Sequence, residues 1–351
     1  MVPAYLLRCI QLAKLADSHT FPNPKVGAVI VHQDRIIGEG YHEKAGGPHA
    51  EVAAIEAVKE PHLLADATLY VSLEPCNHFG KTPPCANLIL KHKIPHVVVG
   101  CLDPNPQMAG KSVEKLRAAG VKVEVCENPE PFQALNKIFF VNQLEKRPFI
   151  CLKWAESWDG FLARKDAQGN LETTAITQHL AKIYTHQLRA AHHAIMVGLT
   201  TAKIDNPQLT VRHFVGKNPI RIVLDRFLEL SPTLNLFTDG EAQTIVINEK
   251  KEEVQGQVTY FCPQDLATFD NITQLCQELY ERLNICSILV EGGTNLLSQF
   301  IDYQYFDEIY RFRGAKLVKN GLAAPNLPKH FVWKERIQLG NDSLKRYEKD
   351  I

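Results

Sequence analysis

The sequence predicts a two-domain protein of the α/β class. Apolar stretches typical of strands alternate along the chain with stretches of helical spacing, and this alternation indicates α/β architecture. The 351 residues exceed what one core usually organises, since single cores seldom grow past about 250–300 residues. A polar, proline-bearing break at residues 127–131 and Lys146-Arg147-Pro148 place the expected boundary near Glu145, giving domains 1–145 and 146–351.

Composition narrows the class of function. Hydrophobic residues make up 45% of the chain and charged residues 22%, and the formal net charge is +0. These values fit a soluble globular protein, and no global field steers the chain towards nucleic acid or membrane. The amino terminus predicts an amphipathic helix rather than a signal peptide. Nine cysteines without a disulfide-like spacing favour a reducing cytoplasm.

The first half begins with a predicted helix over residues 5–16, ended by Pro22 and Pro24. Residues 26–31 and 36–40 predict a β-hairpin. The further elements expected are a helix at 49–59, a strand at 67–73, a helix from Cys85, a strand at 96–101, a helix at 112–119, a strand at 121–125 and a connecting helix at 136–143.

Residues 47–85 carry the pattern of a hydrolytic metal site. His49-Ala50-Glu51 opens one predicted helix, Pro75-Cys76 follows a strand, and Pro83-Pro84-Cys85 opens another helix. One imidazole and two thiolates leave a fourth zinc position for water. The pattern matches the H-x-E and P-C-x-x-C signature of zinc deaminases, except that the cysteines are spaced C-x8-C.

The expected roles follow from placement. His49 and Cys85 are predicted in first helical turns, where a helix amino terminus stabilises thiolate. Glu51 lies two residues beyond His49, so it points elsewhere and is the expected proton shuttle. The alternatives are a structural zinc site with His78 as fourth ligand, or ordinary cysteines. Asn23 lies between two prolines, where its side chain could face the pocket.

The second half contains a candidate anion site. Residues 287–291 predict a strand, followed by Gly292-Gly293-Thr294 and a helix from Asn295. Free backbone N–H groups at such a turn can hold phosphate, although a glycine pair can also merely turn the chain. No G-x-G-x-x-G motif occurs, so a Rossmann domain is disfavoured. The other elements expected are strands at 149–155, 194–198 and 220–225 and a helix at 178–190.

The first half resembles the bifunctional riboflavin-biosynthesis deaminase–reductase family. The resemblance is carried by Asn23-Pro24-Lys25-Val26-Gly27, His49-Ala50-Glu51, the stretch from Glu74-Pro75-Cys76 to Cys85, and Asp103-Pro104-Asn105-Pro106. The long cysteine spacing is the one this family uses. It implies a cytidine-deaminase-like α/β/α sandwich with Zn²⁺ on His49, Cys76 and Cys85, catalytic Glu51 and substrate contact at Asn23. The implied substrate is a diaminopyrimidinone bearing a phosphoribosylamino group.

The second half resembles the reductase domain of the same family, which has a dihydrofolate-reductase-like α/β fold and binds NADPH. The reaction implied is hydride transfer to the ribose, with Asp205 assisting proton delivery. The implied cofactor contacts are Lys153, Ala155, Thr201, Asp205, Gly293, Thr294, Asn295 and Leu296. The implied substrate contacts are Thr173, Arg189, Leu209, Arg212 and Glu291, with Arg189 and Arg212 suited to a phosphate.

Three positions depart from the family pattern: Ala175, Asn206 and Trp158. The family also implies a homo-oligomer, either a dimer through the reductase domain or a tetramer, that acts on a small phosphorylated pyrimidine. Two other functions compete with this one. One is a nucleoside or transfer-RNA base deaminase with an accessory domain, and the other is a metal-stabilised binding or scaffold protein.

Overall fold

The structure is a computed structural model that describes residues 2–16, 18–77, 83–265, 271–327 and 331–349. The chain divides into two compact units, Met1–Lys146 and Arg147–Ile351, called unit 1 and unit 2 below. Each unit is described by itself. Among the described residues, none of the helices combines the length and the apolar character that crossing a membrane requires.

Unit 1 is organised around a five-stranded sheet. Its strands are β1 (Gly27–His32), β2 (Arg35–Tyr41), β3 (Thr68–Val71), β4 (His96–Val99) and β5 (Lys122–Val125). Its α-helices are α1 (Ala4–Ala13), α2 (Ala50–Glu56), α3 (Cys85–Lys91), α4 (Lys111–Ala118), α5 (Glu130–Leu135) and α6 (Lys137–Glu145), and short 3-10 helices lie at Lys14–Ala16 and Pro61–Asp66.

The strand order β2-β1-β3-β4-β5 places helices on both faces of this sheet. β1 pairs antiparallel with β2 and β3, while β3, β4 and β5 run parallel. Because successive side chains of a strand point to opposite faces, Ala28 and Ile30 of β1 join the core beneath α2, α3 and α4. Val29 and Val31 pack with residues of α1 on the other face. Burial on both faces explains why β1 is continuously apolar.

Two glycines of β2 bring α2 against the sheet. A Cβ added to Gly40 would lie 2.4 Å from the backbone nitrogen of Ala54, and one added to Gly38 would lie 2.3 Å from the carbonyl oxygen of the same residue. A side chain at either position would therefore push the helix away. This close approach fixes the position of α2, which carries Glu51 and has His49 as its N-cap residue.

Unit 2 contains a ten-stranded and a three-stranded sheet. Its strands are β6 (Phe149–Glu156), β7 (Phe161–Lys165), β8 (Leu171–Glu172), β9 (Ala194–Gly198), β10 (Ile220–Leu224), β11 (Thr244–Ile247), β12 (Glu253–Gln255), β13 (Val258–Phe261), β14 (Ser287–Val290), β15 (Glu308–Arg313), β16 (Gly321–Ala323), β17 (Phe331–Leu339) and β18 (Asp342–Lys349). Its helices are α7 (His179–Ala191), α8 (Leu199–Asp205), α9 (Asn235–Thr238), α10 (Ile272–Leu283) and α11 (Thr294–Asp302).

The large sheet runs in the order β12-β13-β11-β10-β9-β14-β6-β15-β18-β17. Its centre, from β13 to β15, is parallel, and its edges are antiparallel. The carboxyl ends of β6, β9, β10 and β14 therefore meet at one edge, which is where ligands bind in open α/β sheets. Residues of α10 and α11 bury the apolar side chains of β6 and β14.

The structure adds several elements that the sequence analysis did not assign. Helix α10, strands β11–β13 and the hairpin β17–β18 belong to this group, and β18 pairs with β15. The helix expected at residues 49–59 is shorter and ends at Glu56, with His49 as its N-cap residue. The Gly80-Lys81-Thr82 motif and His78, the alternative fourth ligand, lie outside the described residues.

Candidate metal centre and cofactor cleft

Three side chains of unit 1 converge at the ends of different elements. His49 precedes α2, Cys76 follows β3, and Cys85 is the first residue of α3. His49 Nδ1 lies 3.4 Å from Cys76 Sγ and 3.3 Å from Cys85 Sγ, and the three ligand atoms lie within 4.8 Å of one another. Tetrahedral zinc, with Zn–S of about 2.3 Å and Zn–N of about 2.0–2.1 Å, sets such atoms roughly 3.5–3.8 Å apart. The donor set and its spacing therefore fit zinc.

The pKa values of the two thiols are shifted in opposite directions. The hydrogen bond from the Cys85 thiol, followed by the one with His49, lowers the pKa of Cys76 to about 4. The backbone N–H of Cys85, at the start of α3, also donates to Cys76 Sγ over 3.2 Å. The hydrogen bond to Cys76 and then burial raise the pKa of Cys85. We take Cys76 to be the first thiolate, and a bound cation would displace the proton of Cys85, since metal ligands must be deprotonated.

Glu51 is buried beside this cluster in the first turn of α2. Burial, and after it the charge of Cys76, raises the pKa of its carboxyl to about 7. Its carboxyl also contacts Cys85 through a side-chain hydrogen bond. A carboxyl whose pKa lies near neutrality can both accept and return a proton.

His42 fixes the orientation of Asn23. Its Nδ1 lies 2.9 Å from the carbonyl oxygen of Pro48, which can only accept, so Nδ1 carries the proton. Its Nε2 therefore accepts from the Asn23 amide nitrogen over 3.1 Å. Burial lowers the pKa of His42, which favours this neutral form. Asn23 is left to present its amide oxygen. His42 was not among the site residues predicted from the sequence.

A cavity of about 250 Å³ joins these groups. Its lining consists of Asn23, Pro24, Val26, His42, His49, Ala50, Glu51, Leu73, Glu74, Cys76, Asp103, Asn105, Met108, Phe139 and Gln143. Metal-ligating, proton-transferring and polar recognition groups thus face one volume the size of a small heterocycle.

Glu74 holds the loop that forms one side of this cavity. Its Oε2 accepts from the backbone N–H groups of Asp103 at 3.1 Å and Gly110 at 2.9 Å. Its Oε1 accepts from the N–H and the hydroxyl of Ser112 at 3.0 and 2.8 Å. The buried carboxylate therefore fixes the loop that carries Asp103 and Asn105.

Unit 2 has a cavity of about 600 Å³ at the carboxyl ends of its parallel strands. Ten of the residues expected at the second site line it: Lys153, Ala155, Thr173, Thr201, Asp205, Glu291, Gly293, Thr294, Asn295 and Leu296. Gly293 is the N-cap residue of α11 and has an extended backbone. The amino terminus of α11 therefore faces the cleft together with the turn that precedes it.

The expected phosphate ligand Arg189 points at a carboxylate. Its Nε and Nη2 donate to Glu291 over 2.8 and 3.0 Å, and its Nη1 donates to the Thr210 carbonyl. Lys153 Nζ approaches Glu291 at 3.5 Å. Burial alone would raise the pKa of Glu291, but Arg189 and Lys153 lower it to about 2. Burial lowers the pKa of Lys153.

Arg189, Leu209 and Arg212 are absent from the lining of this cleft. Leu209 is 3% exposed and has a φ of 54°. The Arg212 guanidinium contacts Gln208, and its backbone N–H donates to His186. The sequence could not reveal that Arg189 is engaged by Glu291, because the two residues are 102 positions apart.

Asp205 ends α8 and accepts a 2.7 Å hydrogen bond from the hydroxyl of Thr173. Arg226, Phe227 and Glu229 form a rim of the cleft after β10, and none of them was among the predicted site residues. Asp225 fixes this rim by accepting from the N–H groups of Glu229 and Leu230. The signal that could have indicated this rim is the charged pair Asp225-Arg226, at the carboxyl end of the strand predicted at residues 220–225.

Both units match known families. Residues 3–101 match the cytidine and deoxycytidylate deaminase zinc-binding region, and residues 148–320 match the RibD C-terminal domain. The riboflavin biosynthesis protein RibD of Aquifex aeolicus is 42% identical over 92% of this chain and 89% of its own length. Its Escherichia coli counterpart is 34% identical over 96% of both chains.

Solved structures agree with these relatives. A Thermotoga maritima structure described as a diaminohydroxyphosphoribosylaminopyrimidine deaminase / 5-amino-6-(5-phosphoribosylamino)uracil reductase has 36% identity and a TM-score of 0.86, covering 99% of this chain and 98% of its own. Acinetobacter baumannii RibD, in the structure described as form 1, has 32% identity, the same coverage and a TM-score of 0.86.

The fold and its two sites thus define a zinc-binding deaminase joined to a reductase, which implies zinc and a nicotinamide cofactor. The chain belongs to the RibD family of bifunctional riboflavin biosynthesis enzymes. This result confirms the predicted family, the predicted fold class of a cytidine-deaminase-like domain followed by an α/β reductase domain, and the assignment as hydrolase and oxidoreductase. The binding or scaffold alternative is wrong, because both domains are enzyme domains.

Proposed function

We propose that the cavity of unit 1 deaminates 2,5-diamino-6-(5-phosphoribosylamino)pyrimidin-4-one and that the cleft of unit 2 reduces the ribosyl group of the product to a ribityl chain. The observation that carries the first step is the convergence of His49, Cys76 and Cys85 beside buried Glu51. The Thermotoga relative, whose description includes both activities, supports the choice of substrate. The RibD C-terminal domain at residues 148–320 favours this function over that of a nucleic-acid base deaminase, since zinc is common to both.

In unit 1, His49, Cys76 and Cys85 hold the metal. Zinc bound there supplies a Lewis acid that lowers the pKa of water towards about 7. Glu51 accepts the proton of the attacking water and returns it to the leaving amine, a task suited to a carboxyl whose pKa lies near 7. Asn23 presents its amide oxygen to the pyrimidine, because His42 engages the amide nitrogen.

In unit 2, we assign NADPH to the cleft lined by Lys153, Ala155, Thr201 and the turn before α11. NADPH supplies the hydride that reduces the sugar. The α11 amino terminus suits the cofactor phosphates, since free N–H groups and the helix dipole favour anions there. Arg226 on the rim, which Glu249 holds by an ion pair of 2.5 Å to its Nε, suits the additional 2′-phosphate that distinguishes NADPH from NADH.

Substrate contacts in unit 2 are assigned to Thr173 and Glu291, which line the cleft. Arg189 acts through Glu291, which it holds ionised and in place. Leu209 and Arg212 support the cleft from outside its lining. Asp205, oriented by Thr173, delivers the proton to the opened sugar. The domains are assigned as 1–145 and 146–351.

The proposal includes a cytoplasmic location and a homo-oligomer formed through the reductase domain. The nine cysteines are thiols in this structure, which agrees with a reducing compartment. Sedimentation of the full chain tests the oligomer, and a monomer at micromolar concentration would contradict it.

The proposed activities are tested by supplying the diaminopyrimidinone ribotide and following ammonia release and NADPH oxidation together. Ammonia release should precede NADPH oxidation and should continue without NADPH. Asp205→Ala should retain ammonia release and lose NADPH oxidation at least tenfold, since general acid catalysis contributes about 10²–10⁴-fold. Equal loss of both activities would contradict two separate sites. Asp302→Ala, an exposed position at the end of α11, is the matched control.

A further inference from the structure

Helix α6 supplies a wall of the unit 1 cavity. Phe139 and Gln143 both line it and are both half-buried. They are four residues apart, so they lie next to each other on one face of the helix. An aromatic ring and a carboxamide thus face the same cavity as the metal ligands.

The position of α6 is fixed by a buried amide. Asn136 Oδ1 accepts from the backbone N–H of Lys25 over 2.8 Å, and its Nδ2 donates to the Lys25 carbonyl over 2.9 Å. Asn136 is 4% exposed. These reciprocal bonds tie the start of α6 to the segment that carries Asn23 and Pro24. Phe139 also packs against the core cluster that contains Leu6, Leu73 and Phe132.

The wall lies outside both regions that match family models. The deaminase zinc-binding region ends at residue 101, and the RibD C-terminal domain begins at residue 148. The three metal ligands and Glu51 lie inside the first region. The cavity residues beyond it are Asp103, Asn105, Met108, Phe139 and Gln143. Phe139 and Gln143 therefore reach the cavity from a segment that neither family model covers, while the metal ligands, Glu51 and Asn23 lie within the deaminase region.

We propose that Phe139 and Gln143 are specificity-determining residues that recognise the substrate of the deaminase. Phe139 offers an apolar ring to the face of a planar heterocycle. Gln143 offers one donor group and one acceptor, which match the alternating donors and acceptors on the edge of an aminopyrimidinone. This inference rests on the proposed assignment of the unit 1 cavity as the deaminase site.

Gln143→Met tests the amide, because methionine keeps the length of the side chain and removes its hydrogen bonds. The expected result is a 10- to 100-fold lower kcat/KM for ammonia release, mainly through a higher KM, since a lost hydrogen bond to a substrate leaves polar groups unpaired. Zinc content, and NADPH oxidation measured with the deaminated intermediate, should not change. Gln133→Met, at an exposed position on α5, is the matched control. An unchanged KM and kcat/KM in Gln143→Met would overturn the proposal for this residue.

Phe139→Leu provides the second variant, because leucine keeps the position apolar and removes the ring. KM for ammonia release should rise several-fold while zinc content stays at the wild-type value, and an unchanged KM overturns the role of Phe139.

Glu51→Gln in the same assay separates this inference from the proposed function. If Glu51→Gln abolishes ammonia release and both α6 variants behave as wild type, only the α6 inference fails. If Glu51→Gln is also fully active, the assignment of the cavity fails.

Discussion

The surroundings of Glu51 and Glu291 shift the pKa values of these two carboxyl groups in opposite directions. Burial raises the pKa of Glu51 to about 7, and the charge of Cys76 adds to this effect. The side chain of Glu291 is only 9% exposed, but Arg189 and Lys153 lower its pKa to about 2. The first carboxyl is therefore suited to moving a proton near neutral pH, and the second to remaining an anion that orders two cations.

Replacing Glu51 with glutamine should separate metal binding from proton transfer. Glu51→Gln keeps the size of the side chain and leaves His49, Cys76 and Cys85 intact, so zinc content should stay at the wild-type value. Ammonia release should fall about 10²–10⁴-fold, the usual contribution of a positioned acid or base. Glu56→Gln, at the exposed end of α2, is the control. Near-normal ammonia release by Glu51→Gln would rule out the proton shuttle.

The ion pairs of Glu291 with Lys153 and Arg189 predict that the stability of unit 2 falls in acid. The folded-state pKa of Glu291 lies below its ordinary value of 4.5, at about 2. Its contribution to stability is therefore complete above about pH 4.5 and is lost as the pH falls through that interval. Glu291→Gln removes the anionic partner of Lys153 and Arg189, whose side chains are only 12% and 11% exposed, and at pH 7 it should cost about 3–5 kcal/mol. The difference from wild type should shrink below pH 4.5.

Hydrogen exchange of the β14 amides provides the measurement, because it reports on unit 2 in the full chain. Glu241→Gln, at an exposed position, should exchange as wild type does. A pH-independent difference between wild type and Glu291→Gln would show that the ion pairs do not carry the effect.

At the scale of elements, close backbone packing sets the active-site geometry. Gly38 and Gly40 let α2 lie directly on β2, and Glu74 fixes the loop before α4 through four hydrogen bonds. In unit 2, Asn206, one of the departures from the family pattern, is the C-cap residue of α8. It has a φ of 39°, a left-handed conformation that asparagine tolerates, and its amide oxygen accepts from Asn235 N–H.

Gly40→Ala should displace α2 and weaken the metal site. Its Cβ would lie 2.4 Å from a backbone nitrogen of α2, so the helix itself must move, at a cost of roughly 1–3 kcal/mol. Zinc affinity and ammonia release should fall together, while NADPH oxidation with the deaminated intermediate stays unchanged. In Gly47→Ala the nearest atom is 3.1 Å away, and a smaller effect is expected. Wild-type zinc affinity in Gly40→Ala would contradict this role of the glycine.

At the scale of the whole molecule, the sequence predicts the deaminase site better than the reductase site. His49, Cys76 and Cys85 lie within 37 positions on one recognisable motif, and the structure brings their ligand atoms together. In unit 2, Glu291 and its partners Arg189 and Lys153 are more than a hundred positions apart. The single sequence gives no signal for such pairing, so Arg189 was expected to face a phosphate.

The same reasoning explains the elements that were missed. Strand β17 lies at the edge of the large sheet, and exposed residues are interspersed among its partly buried ones, which gives a weak apolar pattern. The pairing of β18 with β15 supplies the context that the local sequence lacks. The wall formed by Phe139 and Gln143 was likewise hidden, because α6 has apolar residues around most of its surface and no face stands out as core.

The most direct test is a zinc titration of the full chain after removal of metal by a chelator. Ammonia release from the diaminopyrimidinone ribotide should rise in proportion to bound zinc and level off at one zinc per chain. NADPH oxidation with the deaminated intermediate should be the same at every zinc level. Ammonia release at the full rate from metal-free protein would contradict the assignment of His49, Cys76 and Cys85 as the centre of the deaminase.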